Sequence, residues 1–427
     1  MKRGFYTIMS AQFFSSLADN ALFVAAVELL RTSGAPEWQR AALVPMFALF
    51  YVVLAPFVGA FADALPKGRV MFISNSIKVV GCLMMLFGGH PLLAYAVVGL
   101  GAAAYSPAKY GILTELLPVS QLVKANGWIE GLTIASIILG ILLGGTLISQ
   151  AVSAPMLALD FPVLNTGIDS SPEAAISLLI AVYLLAAWFN TRIPHTGVEM
   201  RPMPRNLLAL LPDFWSCNTR LWRDKLGQIS LSTTTLFWGV SGNLRYIILA
   251  WAGAALGYGT TQASALTGVV AVGTAVGAVV ASMRMRLDMA TSVMPLGIGM
   301  GLLVILMNFI DNVWLAAPFL ILLGALGGFL VVPMNALLQH RGHNLMGAGR
   351  SIAVQNFNEQ ACILGLGALY ALSTGVGMSA FGAITGFGLI VAGVMWLIQR
   401  WHAHNLVKHK PEVDRLLEIA RHDNMHG

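Results

Sequence analysis

Charge is scarce in this 427-residue chain: Asp, Glu, Lys and Arg make up 10% of it, against 57% hydrophobic residues. An ordinary soluble domain carries roughly a quarter charged residues, so a water-soluble fold is excluded. Cysteine is scarce too. Cys82, Cys217 and Cys362 are scattered, odd in number and form no Cys-x-x-Cys pair, which argues against a disulfide framework or a zinc site. The chain has no Gly-x-x-x-x-Gly-Lys-Ser/Thr loop, so ATP coupling within it is not expected. Nor does any nucleophile–base or metal-ligand constellation point to an enzyme, and no cofactor is expected. Met1 to Gly4 is too short for a signal peptide, and the first apolar run lacks a small-residue cleavage pattern, so that run is expected to stay as the first helix.

What the chain has in quantity is apolar runs of roughly 20 residues, each long enough to cross a hydrocarbon core about 30 Å thick as a helix. Lipid cannot satisfy exposed backbone amides, so helices are the open-chain solution. The runs predict helices near residues 5–30, 40–62, 70–89, 91–114, 122–150 and 174–192, then 229–255, 261–283, 290–309, 313–339, 346–372 and 377–400. The expected fold is an all-α membrane protein with about twelve transmembrane helices in two pseudo-symmetric six-helix halves. The boundaries are 1–193 for the first half, 194–228 for a polar linker, 229–400 for the second half and 401–427 for a tail. Small residues spaced for close helix approach occur in Gly140 to Gly144 and Gly324 to Gly328.

Self-comparison supports the two halves. Gly99-Leu100-Gly101 with Pro107 returns as Ala325-Leu326-Gly327 with Pro333, a spacing of 226, and Lys124 to Glu130 resembles Ala353 to Glu359 at 229. At the first spacing Asp19 corresponds to Arg245. Lys and Arg concentrate on one side, in Lys2, Arg3, Lys67, Arg69, Lys124, the linker, Arg284, Arg286, Arg341, Arg350 and the tail from Arg400; the opposite loops hold only Arg31 and Arg40. Positive loops are retained in the cytoplasm, so both termini and the linker are expected there. The excess of basic residues is thus a topology signal, and no nucleic-acid partner is expected.

Ionisable groups deep in a bilayer cost roughly 2.5–3.5 kcal/mol on insertion scales and are functional hypotheses by default. Asp19, Lys78, Lys109 and Arg245 are the deepest here. Helical spacing makes polar stripes of Gln12, Ser16 and Asp19, with Asn20 beside it; of Tyr105 and Lys109; of Asn126 and Glu130; of Trp238, Ser241 or Gly242, and Arg245; of Asn335 and Gln339; and of Gln355 and Glu359. Lys78 reads as structural, either one partner of a buried ion pair or a snorkelling side chain. Asp19, Lys109 and Arg245 together suit a ligand with a phosphate and an apolar body, because Arg binds phosphate bidentately and Lys supplies a point charge. Asp19 would then orient a cation or an ammonium head group.

Gly59-Ala60-Phe61-Ala62-Asp63-Ala64-Leu65-Pro66-Lys67-Gly68-Arg69 resembles the Gly-x-x-x-Asp-x-x-x-Gly-Arg signature of the major facilitator superfamily. The alternative is an ordinary charged turn. The motif predicts that Gly59 lets two helices approach and that Asp63 meets a helix N-terminus and a base such as Arg69, so that Gly59, Asp63, Gly68 and Arg69 form a gate. In that superfamily, the resemblance implies, helices one, four, seven and ten line a cavity.

A closer resemblance rests on Asp19-Asn20-Ala21-Leu22, Ala55-Pro56-Phe57-Val58-Gly59, Tyr105-Ser106-Pro107-Ala108-Lys109-Tyr110-Gly111, Leu122 to Gly127, Val331 to Gln339 and Ile352 to Asn356. These segments look like the bacterial lysophospholipid transporter family from about residue 10 to 400. The resemblance implies an inner-membrane carrier that flips lysophosphatidylethanolamine and related lysolipids to the cytoplasmic leaflet for re-acylation. It further implies coupling to a separate acyltransferase, with Asp19, Lys109 and Arg245 on family positions associated with substrate handling; Asn20, Tyr105, Glu130, Trp238, Gln355 and Glu359, from the polar stripes and their neighbours, complete the candidate substrate-binding set, and a monomer is expected. A drug or small-solute proton antiporter of the same fold, with Asp19 and Glu130 carrying protons, is the competing reading. His409 to Asp414 matches the His-x-x-x-x-Asp pattern of an acyltransferase, yet too few residues follow for such a domain, and the tail reads as a solvated or membrane-surface helix. The loop from Ser149 to Glu173 and the charged tail depart from the family pattern.

Overall fold

The computed structural model describes residues 3–117, 119–159, 167–346 and 348–426. Its order is α1 (Arg3–Thr32), α2 (Glu37–Val53), α3 (Ala55–Ala64), α4 (Lys67–Leu86), α5 (Pro91–Leu116), α6 (Val119–Leu147), α7 (Gln150–Leu157) and α8 (Ser171–Thr191). After the linker come α9 (Leu210–Arg223), α10 (Gly227–Leu256), α11 (Thr260–Arg284), α12 (Met294–Ile305), α13 (Val313–Met346), α14 (Ala348–Gly375), α15 (Ala380–Lys408) and α16 (Lys410–His426). Among the described residues no strand occurs. Among the described residues eight helices are long and apolar enough to cross a membrane, or up to ten spans if each of two bent pairs counts as one. The chain is therefore an all-α, multi-span membrane protein.

One expected helix is broken. The run 40–62 divides at Leu54 into α2 and α3, bent by 64°. Pro56 lacks the N–H that would bond one turn back, so the straight ladder cannot continue there. A second bend, of 61°, separates α6 from α7 at Ser149, whose backbone is extended.

The chain divides into two compact units. Unit 1 comprises Met1–Leu207, Gly257–Gly268 and Gly367–Gly375; unit 2 comprises Leu208–Leu256, Val269–Leu366 and Val376–Gly427. In unit 1, α1 and α6 meet where Gly140 and Gly144 lie against the backbone of Leu17 and Ala21. A Cβ on Gly144 would stand 2.7 Å from the Ala21 carbonyl and 2.9 Å from Val24 Cβ. Without a hydrophobic force between helices in lipid, such backbone approach supplies the packing. Gly144→Leu is therefore expected to cost about 1–3 kcal/mol, read as a lower melting temperature of the purified protein in detergent; an unchanged melt would mean that α1 and α6 do not depend on this approach. In unit 2, Gly324 and Gly328 of α13 press in the same way on the backbone of Val270 and Thr274 in α11.

Two segments differ from their sequence reading. The polar linker contains α9, whose Phe214, Cys217 and Leu221 are buried, with Phe214 edge-on to Phe357 at 5.2 Å. The tail, expected as a solvated or membrane-surface helix, is a helix docked on the protein. Val413 and Leu416 of α16 enter the unit 2 core beside Leu226, Ile229, Ala290 and Val293. Arg421 bonds Asp288 at 3.1 Å, and Asp423 pairs with His340 at 2.7 Å. The hydrogen bond from His340 holds the Asp423 carboxyl below the usual carboxylate range. His409 joins α15 to α16, its amide bonding Asn405 and its carbonyl accepting from Val413.

Candidate functional site

Unit 1 holds a buried polar network among α1, α4 and α8. Lys78, almost fully enclosed, donates to Asp19 Oδ2 at 2.8 Å and to Ser15 Oγ at 2.9 Å. Ser15 in turn donates to Asn75 Oδ1 at 2.7 Å, and Asn75 Nδ2 lies 2.6 Å from the Asn190 amide. Tyr183 donates to the other Asp19 oxygen at 2.6 Å. The Lys78 ammonium also sits 5.2 Å from the Tyr105 ring centre and 5.6 Å from that of Tyr183. Of the two structural roles open to Lys78, buried ion pair or snorkelling side chain, it takes the first, with Asp19, and the cation beside Asp19 comes from the chain itself. Two aromatic faces and two oxygen-bearing partners, Asp19 and Ser15, compensate a charge that lipid would otherwise penalise.

The remaining unit 1 candidates lie around this network. Asn20 is buried and its amide donates to the Ser16 carbonyl at 2.8 Å. Tyr105 borders Lys78 as described, and one turn further along α5 Lys109, also buried, places its ammonium 4.4 Å from the Tyr110 ring centre. The Glu130 side chain lies outside the described residues.

The turn between α3 and α4 differs in detail from its motif reading. The base beside Asp63 is Lys67, not Arg69: Lys67 Nζ lies 3.1 Å from Asp63, 3.3 Å from Glu115 and 2.7 Å from the Ala62 carbonyl. Arg69 is exposed. Lys67 opens α4 one helical turn after Asp63, so its stem folds back over the chain break, while Arg69 starts on the outer face. The close-approach glycine is Gly68, whose Cβ would come 3.2 Å from both the Asn190 carbonyl and Ile193 Cβ; at Gly59 a Cβ would meet nothing within 4 Å. Thr196 donates to Glu115 at 2.9 Å, and the Arg201 amide donates to the Asp63 carbonyl at 3.0 Å, so the start of the linker is tied to the same cluster.

In unit 2, α10 carries Trp238 and Arg245 two turns apart on one face. Trp238 is 38% exposed, and Arg245 is half-buried with its Nε 3.4 Å from the Gly242 carbonyl. Gln355 of α14 is buried and donates to Asn335 at 2.5 Å and to Glu359 at 2.8 Å, joining α13 to α14. At one end of α10, Arg341 makes two bonds to Asp224, at 3.1 and 2.6 Å, while Asp224 also accepts from the amides of Leu226 and Gly227 at 3.2 and 2.7 Å. Asp224 therefore caps α10 and satisfies its first orphan donors. Among the described residues, no group of three or more His, Cys, Asp and Glu could hold a metal ion.

The family model of the Major Facilitator Superfamily matches residues 8–366. A lysophospholipid transporter, LplT, of Enterobacter sp. (strain 638) is 40% identical over 403 residues, covering 93% of this chain and 96% of its own. The chain belongs to this transporter family. The LplT of Pectobacterium carotovorum subsp. carotovorum (strain PC1) is 39% identical over 380 residues, 89% of this chain and 88% of its own. A POT family transporter solved with a thioalcohol-conjugated peptide superposes with a TM-score of 0.70 at 12% identity, over 94% of this chain and 96% of that one, which shows the shared fold alone.

Sequence reasoning missed Tyr183, Lys67, Glu115 and Asp224 as parts of this transporter's polar machinery. Asp224 lay among linker residues read only for their positive charge. Its signal was the spacing to Gly227, the cap position before a long helical run. Tyr183 offered no pattern, because α8 carries few other polar residues to form a stripe with it.

Proposed function

We propose that this protein moves lysophospholipids, lysophosphatidylethanolamine first among them, across a bacterial inner membrane to the cytoplasmic leaflet for re-acylation. It works by alternating access, with substrate entering sideways from the leaflet. The observation that carries the reading is 40% identity over 93% of the chain to a lysophospholipid transporter. In this reading the carrier acts as a monomer, a separate acyltransferase consumes its product, and both termini face the cytoplasm.

Twelve spans are part of the same proposal. To the eight single helices and two bent pairs it adds α10 and α14, which at 30 and 28 residues and 1.5 Å per residue run roughly 40 Å. Their polar residues lower their hydropathy, and those residues include Arg245, Gln355 and Glu359. The residues assigned to substrate handling are Lys109 and Arg245 for the phosphate, each within its own unit, and Asp19, Asn20, Tyr105, Glu130, Trp238, Gln355 and Glu359 for head group and glycerol. The turn carrying Gly59, Asp63, Gly68 and Arg69 gates access, with Lys67 and Glu115 as its ionic core.

Lys109→Ala and Arg245→Ala test the assignment. A charge-assisted hydrogen bond contributes about 1.5–3 kcal/mol, so each variant is expected to move labelled lysophosphatidylethanolamine at least about tenfold more slowly while accumulating normally in the membrane. Unaltered rates in both would remove these residues from the route.

A further inference from the structure

Unit 2 contains an apolar cleft that the polar candidates do not explain. It lies among α10, α11, α12, α13 and α15, walled by Phe237, Val240, Leu244, Met300, Val304 and Met395, with about 50 Å³ of interior space. Thr233 is the first cleft-lining residue along α10, and its hydroxyl donates to the Ile229 carbonyl, so it offers no free donor to a polar guest. Glycines keep the cleft from filling. A Cβ on Gly327 would come 2.9 Å from the Phe237 ring and 3.2 Å from Met300 Cε, and one on Gly297 would come 2.7 Å from the Met395 side chain.

Ser241 lines this cleft and also lies one helical turn from Arg245, so the cleft face of α10 adjoins the charged one. From Arg245 to Thr233 is twelve residues, about 18 Å along a helix. One leaflet of hydrocarbon is about 15 Å deep, which is the reach of a single lipid chain. The space present admits the end of such a chain, and the unbranched Met300 and Met395 side chains repack readily to admit more.

We propose that this cleft receives the acyl chain of a lysophospholipid whose phosphate is held at Arg245, and that its depth sets chain-length preference. The inference rests on the transport function proposed above. Dodecanoyl and octadecanoyl lysophosphatidylethanolamine are the probes, each followed between leaflets of vesicles containing purified wild type, Val304→Phe or Met300→Ala. Filling the cleft with Val304→Phe lowers the ratio of long-chain to short-chain rate by at least about fivefold, since each buried methylene contributes about 0.8 kcal/mol. Widening it with Met300→Ala raises the same ratio, so the test survives if the larger side chain impairs folding. Ratios equal to wild type in both variants, even with lower rates overall, overturn the cleft assignment and leave the transport reading standing. A wild type that moves neither probe overturns both.

Discussion

Asp19→Asn is expected to cost about 3–5 kcal/mol of stability, the scale for removing one member of a buried ion pair, and to abolish lysolipid movement. Lys78 has 2% of its side chain exposed, and among the described residues Asp19 is its one anionic partner. Without that carboxylate, Ser15 and the rings of Tyr105 and Tyr183 face a full charge they cannot neutralise. The consequence is measured as a large drop in melting temperature in detergent. Replacing both members, as Asp19→Asn with Lys78→Met, removes the stranded charge and is expected to recover most of the stability. Transport is not expected to return, because the network that holds α1, α4 and α8 around Asp19 is gone. A double variant as unstable as the single one would show that the pair is not what the destabilisation measures.

Arg341→Met is expected to have an effect of similar size at the start of α10. Its guanidinium holds both oxygens of Asp224, and both side chains are more than nine-tenths buried. Removing it leaves a carboxylate supported by two backbone amides alone, again about 3–5 kcal/mol. Arg341→Lys is expected to recover only part of this, because an ammonium cannot reproduce two parallel bonds. Hydrogen exchange of the first turns of α10 is the direct readout. Protection unchanged in Arg341→Met would show that the cap does not need its counter-ion.

The membrane-spanning helices were legible because an apolar run is a strong, local signal. So were the glycine approaches, since Gly140 and Gly144 share a helix face whatever they pack against. Partners were less legible. Lys78 read as a structural residue, paired or snorkelling, and nothing in its neighbourhood names Asp19, which is 59 positions away. The Asp63 motif pointed to Arg69, while a chain break brings Lys67 to the carboxylate. In α9, Leu210, Phe214, Cys217 and Leu221 recur at helical spacing, but the surrounding prolines and arginines concealed it. The tail's Val413, Leu416 and Ala420 carry the same spacing, hidden among charges. Periodicity thus found the elements facing lipid and underrated those whose apolar stripe is narrow.

The central claim is that this chain carries a single-chain phospholipid across the bilayer. Its most direct test is the movement of labelled lysophosphatidylethanolamine between leaflets of vesicles containing the purified wild-type protein, against protein-free vesicles of the same lipid. Accelerated movement of the lysolipid, with the two-chain parent lipid left in place, is the result expected. Movement no faster than in protein-free vesicles would contradict the account.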